Sequence, residues 1–352
     1  MLLAAAVLLG TFFLVSGYDH WQQSLAQQWF RRGQNDFARR DASAVADFRT
    51  ALFYAPGDEQ VRYRLAQSLE AEHRTAEAKS YFLALWRADP ENAVYNLALA
   101  QMAVAADNVS DAVRYFHGAI YGIWPDSGRE NSLGARFALV RFLLSVKANS
   151  QAQAELVGLA AELPADRSLI LEAGQLAMDA GANDQALGFY RRALSLSVND
   201  AQAAAGAGFA AFQLSRYGTA ARWLRVAMRH HDLEPRVTEA LREVDAALNL
   251  DPYEPHISYA AREQRAGALL TAAAARLTQC AQPNTPTPLA ETYQRLKRSD
   301  NPRGFRLDPG LTDEITDFAQ RVESQSFPGC APPNQTDHAL ALVSAKRGDL
   351  AQ

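Results

Sequence analysis

Small and large apolar residues recur along most of this chain in a fixed order. An alanine is followed by a large apolar residue four positions on. The first three runs are Ala44, Phe48, Ala51 and Pro56; Ala78, Phe82 and Pro90; then Ala112, Phe116 and Ala119. Three more follow: Ala152, Leu156, Leu159 and Pro164; Ala186, Tyr190 and Ala193; then Ala220, Leu224 and Ala227. Spacings of i, i+4 and i+7 lie on one face of a helix. The starts are 34 residues apart, except for one interval of 40 whose six extra residues fall around Pro125–Gly128. Ahead of each run lies a second helical stretch with small residues at Ala66, Ala100, Gly174 and Gly208; the first copy has Arg32 there. The pattern predicts pairs of antiparallel helices, A and B, joined by short turns. Pro56, Pro90 and Pro164 end B helices, because proline lacks the N–H and clashes with the preceding turn. One pair cannot bury its apolar face alone, so the pairs must stack.

With this period, and with stretches such as "RLAQSLEAEHRTAEAKSYFLALWRADP" and "GAGFAAFQLSRYGTAARWLRVAM", the chain resembles the tetratricopeptide repeat family over about residues 25–232. A half-copy carries Ala240, Val244, Ala247 and "LNLDP" to Pro252. The resemblance implies an all-α fold, a right-handed α-solenoid of antiparallel helix pairs over 25–252. It also implies that A helices line a concave side where extended peptides bind. The residues carried onto that side include Tyr63, Gln67 and Glu70; Leu97, Gln101 and Val104; Phe137, Arg141 and Leu144. Leu171, Gln175 and Met178, then Phe209 and Phe212, continue the series. Gln67, Gln101 and Gln175 share one repeat position, with Arg141 replacing glutamine once. A carboxamide both donates and accepts, so such a row can pair with a peptide backbone while apolar neighbours take its side chains. Glutamine is equally a good exposed helix former. A single arginine in the row argues against a basic clamp for C-terminal carboxylates.

The N-terminus has a different pattern. Leu2–Ser16 is almost wholly apolar, and no charge precedes Asp19. About 17 residues suffice to cross the hydrocarbon core, so residues 1–18 are expected to be a membrane anchor. A cleaved signal peptide is the competing reading, with Val15 and Gly17 small enough for a cleavage motif, although a basic n-region is missing. No cysteine follows the run, which argues against a lipoprotein anchor. Arg31, Arg32, Arg39 and Arg40 read as an exposed helix face and not as a topology signal.

Residues 253–352 lose the repeat. Ile257–Cys280 has the spacing of a long capping helix. "AQPNTPTP" is a loop, 289–298 and 311–323 are short helices, "FPGCAPPN" is irregular, and 339–346 is a last turn or two.

Composition narrows the functions. Of 352 residues, 48% are apolar and 21% charged, as in an ordinary globular chain. A net charge of −4 supplies no footprint for nucleic acid. Two cysteines exclude a disulfide scaffold and a four-cysteine zinc site. No P-loop, G-x-G-x-x-G, G-x-S-x-G or H-E-x-x-H occurs. His230 and His231 point about 100° apart on a helix and cannot share a metal. Asn108 and Asn334 open glycosylation-type triplets, short enough to arise by chance. Cys280 and Cys330 are expected to pair, because oxidising compartments leave few thiols free. The expectation is a scaffold without catalysis or cofactor, held at the membrane with an extracytoplasmic body. It would bind a protein or peptide partner and no nucleic acid. The rival class is a redox or enzymatic factor working through 253–352, although these cysteines lack the C-x-x-C arrangement that activates a thiol.

Overall fold

The computed structural model describes residues 2–125, 128–229, 235–279, 287–299, 309–324 and 334–350, and for residues 2–15, 287–288, 298–299, 309 and 347–350 the backbone alone. The described residues form seventeen helices and no strand. The first twelve are six A–B pairs: α1 (Leu2–Ala38) and α2 (Ser43–Tyr54), α3 (Glu59–Ala71) and α4 (Thr75–Ala88), α5 (Ala93–Ala105) and α6 (Val109–Tyr121). Next come α7 (Gly128–Ser145) and α8 (Asn149–Glu162), α9 (Arg167–Asp179) and α10 (Asn183–Leu196), α11 (Ala201–Gln213) and α12 (Tyr217–Ala227). The chain divides into two compact units, residues 1–155 and 156–352, with the boundary inside α8.

The repeat residues do the packing the period implied. Ala44, Ala78, Ala112, Ala152, Ala186 and Ala220 are buried, as are Phe48, Phe82, Phe116, Leu156, Tyr190 and Leu224. The small A-helix residues face these large ones. A Cβ at Gly174 would lie 2.8 Å from the Tyr190 ring, and one at Gly208 would lie 2.7 Å from Leu224. In the first repeat this role falls to Gly33, where a Cβ would lie 2.9 Å from Phe48. Arg32, the residue the alignment placed there, points outward. The 34-residue spacing is one residue too long for α1.

The turns keep the same period. A left-handed residue closes each A helix at Arg40, His73, Asp107, Lys147, Gly181 and Ser215. The first interval is 33 residues, which is the register slip of α1. Asp58, Asn92, Asp166 and Asp200 then cap α3, α5, α9 and α11, each accepting a backbone N–H of the helix it begins. Such caps hold a helix start in place and contribute about 1 kcal/mol each. Where the extra residues enter, Ile123 N–H donates to Glu91 O at 2.8 Å and Ile123 O accepts from Ala93 N–H at 3.0 Å. This single backbone bridge ties the insertion to the start of α5.

In the second unit α13 (Pro235–Leu250) packs against α12 and touches α11, as an A helix would. Beyond it come α14 (Tyr259–Gln279), α15 (Thr287–Ser299), α16 (Pro309–Ser324) and α17 (Gln335–Leu350). The long helix α14 pairs mainly with α16. The helix that covers α13 is α17, sixteen residues long where a turn or two was expected. Tyr217 of α12 donates its hydroxyl to Leu342 O at 2.9 Å, and Lys346 pairs with buried Asp251. Asn334 and Asp337 cap α17 reciprocally, each accepting the other's backbone N–H at 3.0 Å. Cys280, Cys330, His230 and His231 lie outside the described residues, so the expected disulfide falls there too.

Candidate partner-binding surface

In the first unit the A helices form the tighter layer: α1 meets α3 and α5 meets α7 directly. The residues carried onto this layer differ in what they offer. Tyr63 packs edge-on against Phe82 at 6.0 Å and tilts on Tyr95 at 5.8 Å. Its hydroxyl accepts from the Gln67 amide at 2.9 Å, while the Gln67 oxygen accepts from Arg64 at 2.9 Å. Burial pushes the Tyr63 hydroxyl above its ordinary value, and desolvation does the same to the Glu70 carboxyl two turns on. Gln101 stands exposed, and its amide has no partner among the described residues. Arg141 is exposed as well, with its guanidinium 5.7 Å from the Phe137 ring centroid. That ring is itself only 3% exposed, so Phe137 is a core residue beneath an arginine and presents no open apolar surface.

The second unit repeats the motif of an arginine over a ring. Arg236 of α13 lies 5.7 Å from the Phe209 centroid. Phe212 tilts against Tyr217 at 6.1 Å. Gln175 is exposed but donates to Asp179 at 2.8 Å. The three glutamines are therefore not one row of equivalent amides. Two are held by neighbours on their own helices, and Gln101 is open.

The sequence reading began its site with the second repeat and missed the first. A cleft of about 550 Å³ lies between α1 and the start of α3. Asp19, Gln22, Gln23, Gln27 and Phe30 line it from α1; Tyr54, Asp58, Gln60 and Val61 line it from the other side. Four carboxamides around two aromatic rings are the composition expected of a backbone-reading site. The signal was present in "WQQSLAQQWF". It was hidden because Gln22, Gln23 and Gln27 lie ahead of the family's facing positions, which in α1 correspond to Phe30, Gln34 and Phe37. Among the described residues no cluster of histidine, cysteine and acidic side chains could hold a metal ion.

No family model matches the chain, and no curated protein does. Solved structures with the same kind of fold do. One is YrrB, a TPR protein with an unusual peptide-binding site: 18% identity, 50% of this chain and 88% of that one, TM-score 0.36. PilF of Pseudomonas aeruginosa gives 16% identity over 64% of this chain and 98% of that one, TM-score 0.39. A tetratricopeptide repeat protein from Parabacteroides merdae gives 9% identity over 92% and 99%, TM-score 0.41. Likeness of this degree concerns the type of fold and carries no ligand across. The repeat assignment stands on this chain's own spacing, packing and turns.

Proposed function

We propose that this protein is a membrane-anchored repeat scaffold that binds an extended protein segment on its A helices and performs no reaction of its own. The observation that supports this best is the surface of the first unit. Gln101 and Arg141 stand exposed on successive A helices, and a carboxamide-lined cleft opens beside α1. Glutamine amides there would pair with a partner's backbone, and the guanidinium would meet its carboxylates or carbonyls. Cell-envelope assembly, secretion or maturation of a complex are the settings in which such a body serves, with residues 17–352 outside the cytoplasm and Cys280 bonded to Cys330.

The anchor in this reading is Leu2–Ser16. Among the described residues no helix is long and apolar enough to cross a membrane, and residues 2–15 enter that description by backbone only. Their backbone continues without a break into the first repeat helix. Deleting residues 1–18 should release a soluble, folded protein. A mature product beginning near Tyr18 would show a cleaved signal instead. The binding claim is tested by capture from detergent-solubilised membranes with the full chain and with a Gln101→Ala/Arg141→Ala variant. Both side chains are exposed, so the variant should fold and lose its partner. Undiminished capture would move the interface elsewhere, and thiol-exchange activity of the full chain would favour the rival class.

A further inference from the structure

We propose that the end of the first repeat sits in the headgroup layer of the membrane, through an aromatic collar made by Tyr18, Trp21, Phe53 and Tyr54. This rests on the anchor reading of Leu2–Ser16. Helix α1 is continuous from Leu2 to Ala38, so the apolar run and the first repeat helix share one axis with no linker between them. Tyr18 and Trp21 are the second and fifth residues past Ser16. At a rise of 1.5 Å per residue they stand about 3 and 8 Å beyond it. A headgroup layer about 5–8 Å deep flanks each side of the hydrocarbon core. Both side chains are 56% exposed, and their rings lie 6.0 Å apart.

The second helix delivers rings to the same height. Contacts of Phe30 with Phe48 and of Asp36 with Ser43 show α2 running back antiparallel along α1. It ends at Tyr54, whose ring meets Trp21 edge-on at 6.5 Å. Phe53 beside it is 78% exposed, an apolar ring left in water by everything else in the repeat. Indole and phenol rings with an apolar body and a polar tip are the side chains that settle at membrane interfaces. The first lysine or arginine of the chain is Arg31, while Asp19 and His20 lie side by side within the collar's span. The contact therefore draws on apolar and dipolar interactions with uncharged headgroups, and not on anionic lipid. Two helices touching the surface fix the tilt of the first repeat. Tyr54 also lines the carboxamide cleft, so a segment bound there would lie against the membrane.

The test uses the full chain reconstituted with phosphatidylcholine vesicles, some carrying bromine high in the acyl chains. Sedimentation with the vesicles is read first, and then tryptophan quenching. The collar requires a bromine-quenched emission that is lost in Trp21→Phe, a change that keeps an aromatic ring. It also requires Phe53→Ser, an exposed change, to shift that emission to the red. Adding phosphatidylglycerol should leave both readings unchanged. If the chain sediments but Trp21→Phe quenches like the parent, the rings face water or a protein, and the collar is rejected while the anchor survives. If quenching needs the anionic lipid, the uncharged-headgroup contact is rejected. If the chain stays in solution, the anchor reading fails and the collar with it.

Discussion

The repeats and the C-terminal helices α14–α17 solve the same problem by different means. In the repeats the buried contacts are small against large apolar residues, glycine or alanine against phenylalanine, tyrosine or leucine, at fixed positions. Among the described residues of α14–α17 five polar or charged side chains are buried instead: Arg276, Thr312, Thr316, Asp337 and Ser344. Among the described residues the repeats contribute six, Asp251 included, over more than twice the length, so the difference is one of design and not of size. A stack of like units can use one apolar contact many times. A cap is met once, and here it is located by ion pairs and hydrogen bonds, such as Lys346 with Asp251 and Tyr217 with Leu342 O.

The largest predicted effect breaks the polar side of this contrast. Arg276 lies 3.7 Å from Asp337 and 4.0 Å from Glu323 in the buried heart of the C-terminal helices. Arg276→Met strands two carboxylates and should lower stability by about 3–5 kcal/mol, read by denaturant unfolding. The apolar side is broken at Gly174. A valine there overpacks the Tyr190 ring and should cost about 1–3 kcal/mol. If it unfolds no more easily than the parent, the A–B contact is not close-packed as described.

A smaller effect tests the shared turn. His73→Gly and Lys147→Gly should each raise stability by about 0.5–1 kcal/mol, because glycine occupies the left-handed region without strain. Gly181→Ala should lower it by a similar amount.

The smallest effect depends on pH. Burial pushes the Glu323 carboxyl above its ordinary value of 4.5, against the pull of Arg276. The folded state then holds that proton more tightly than the unfolded chain. Its ionisation costs stability in full above the raised value, and the cost vanishes as pH falls below the unfolded value near 4.5. Glu323→Gln should therefore melt higher than the parent at pH 7, and the two curves should meet in acid.

These contrasts also decide what could be read in advance. Every Ala-x-x-x-Phe position proved buried because each residue type there is dictated by one contact that recurs. The slip that substitutes Gly33 for Arg32 was not legible, since a turn shortened by one residue leaves the B-helix spacing untouched. Helix α17 was underestimated for a related reason. It is packed by α13, α14 and α16 on several sides, so its apolar residues form no single stripe. At the candidate surface, helix faces were legible and side-chain engagement was not. Gln175 donates to Asp179 four residues on, a pairing that spacing permits but does not require. Phe137 sits at a facing position yet is covered by Arg141.

The measurement closest to the central claim is photo-cross-linking in native membranes from single positions in the first unit. A cross-linker at Gln101, exposed on α5, is compared with one at Ser80, exposed on α4, and one at Arg114, exposed on α6. The scaffold reading predicts a discrete protein adduct from position 101 and none from 80 or 114. An adduct from the B-helix positions alone, or from none of the three, would contradict it.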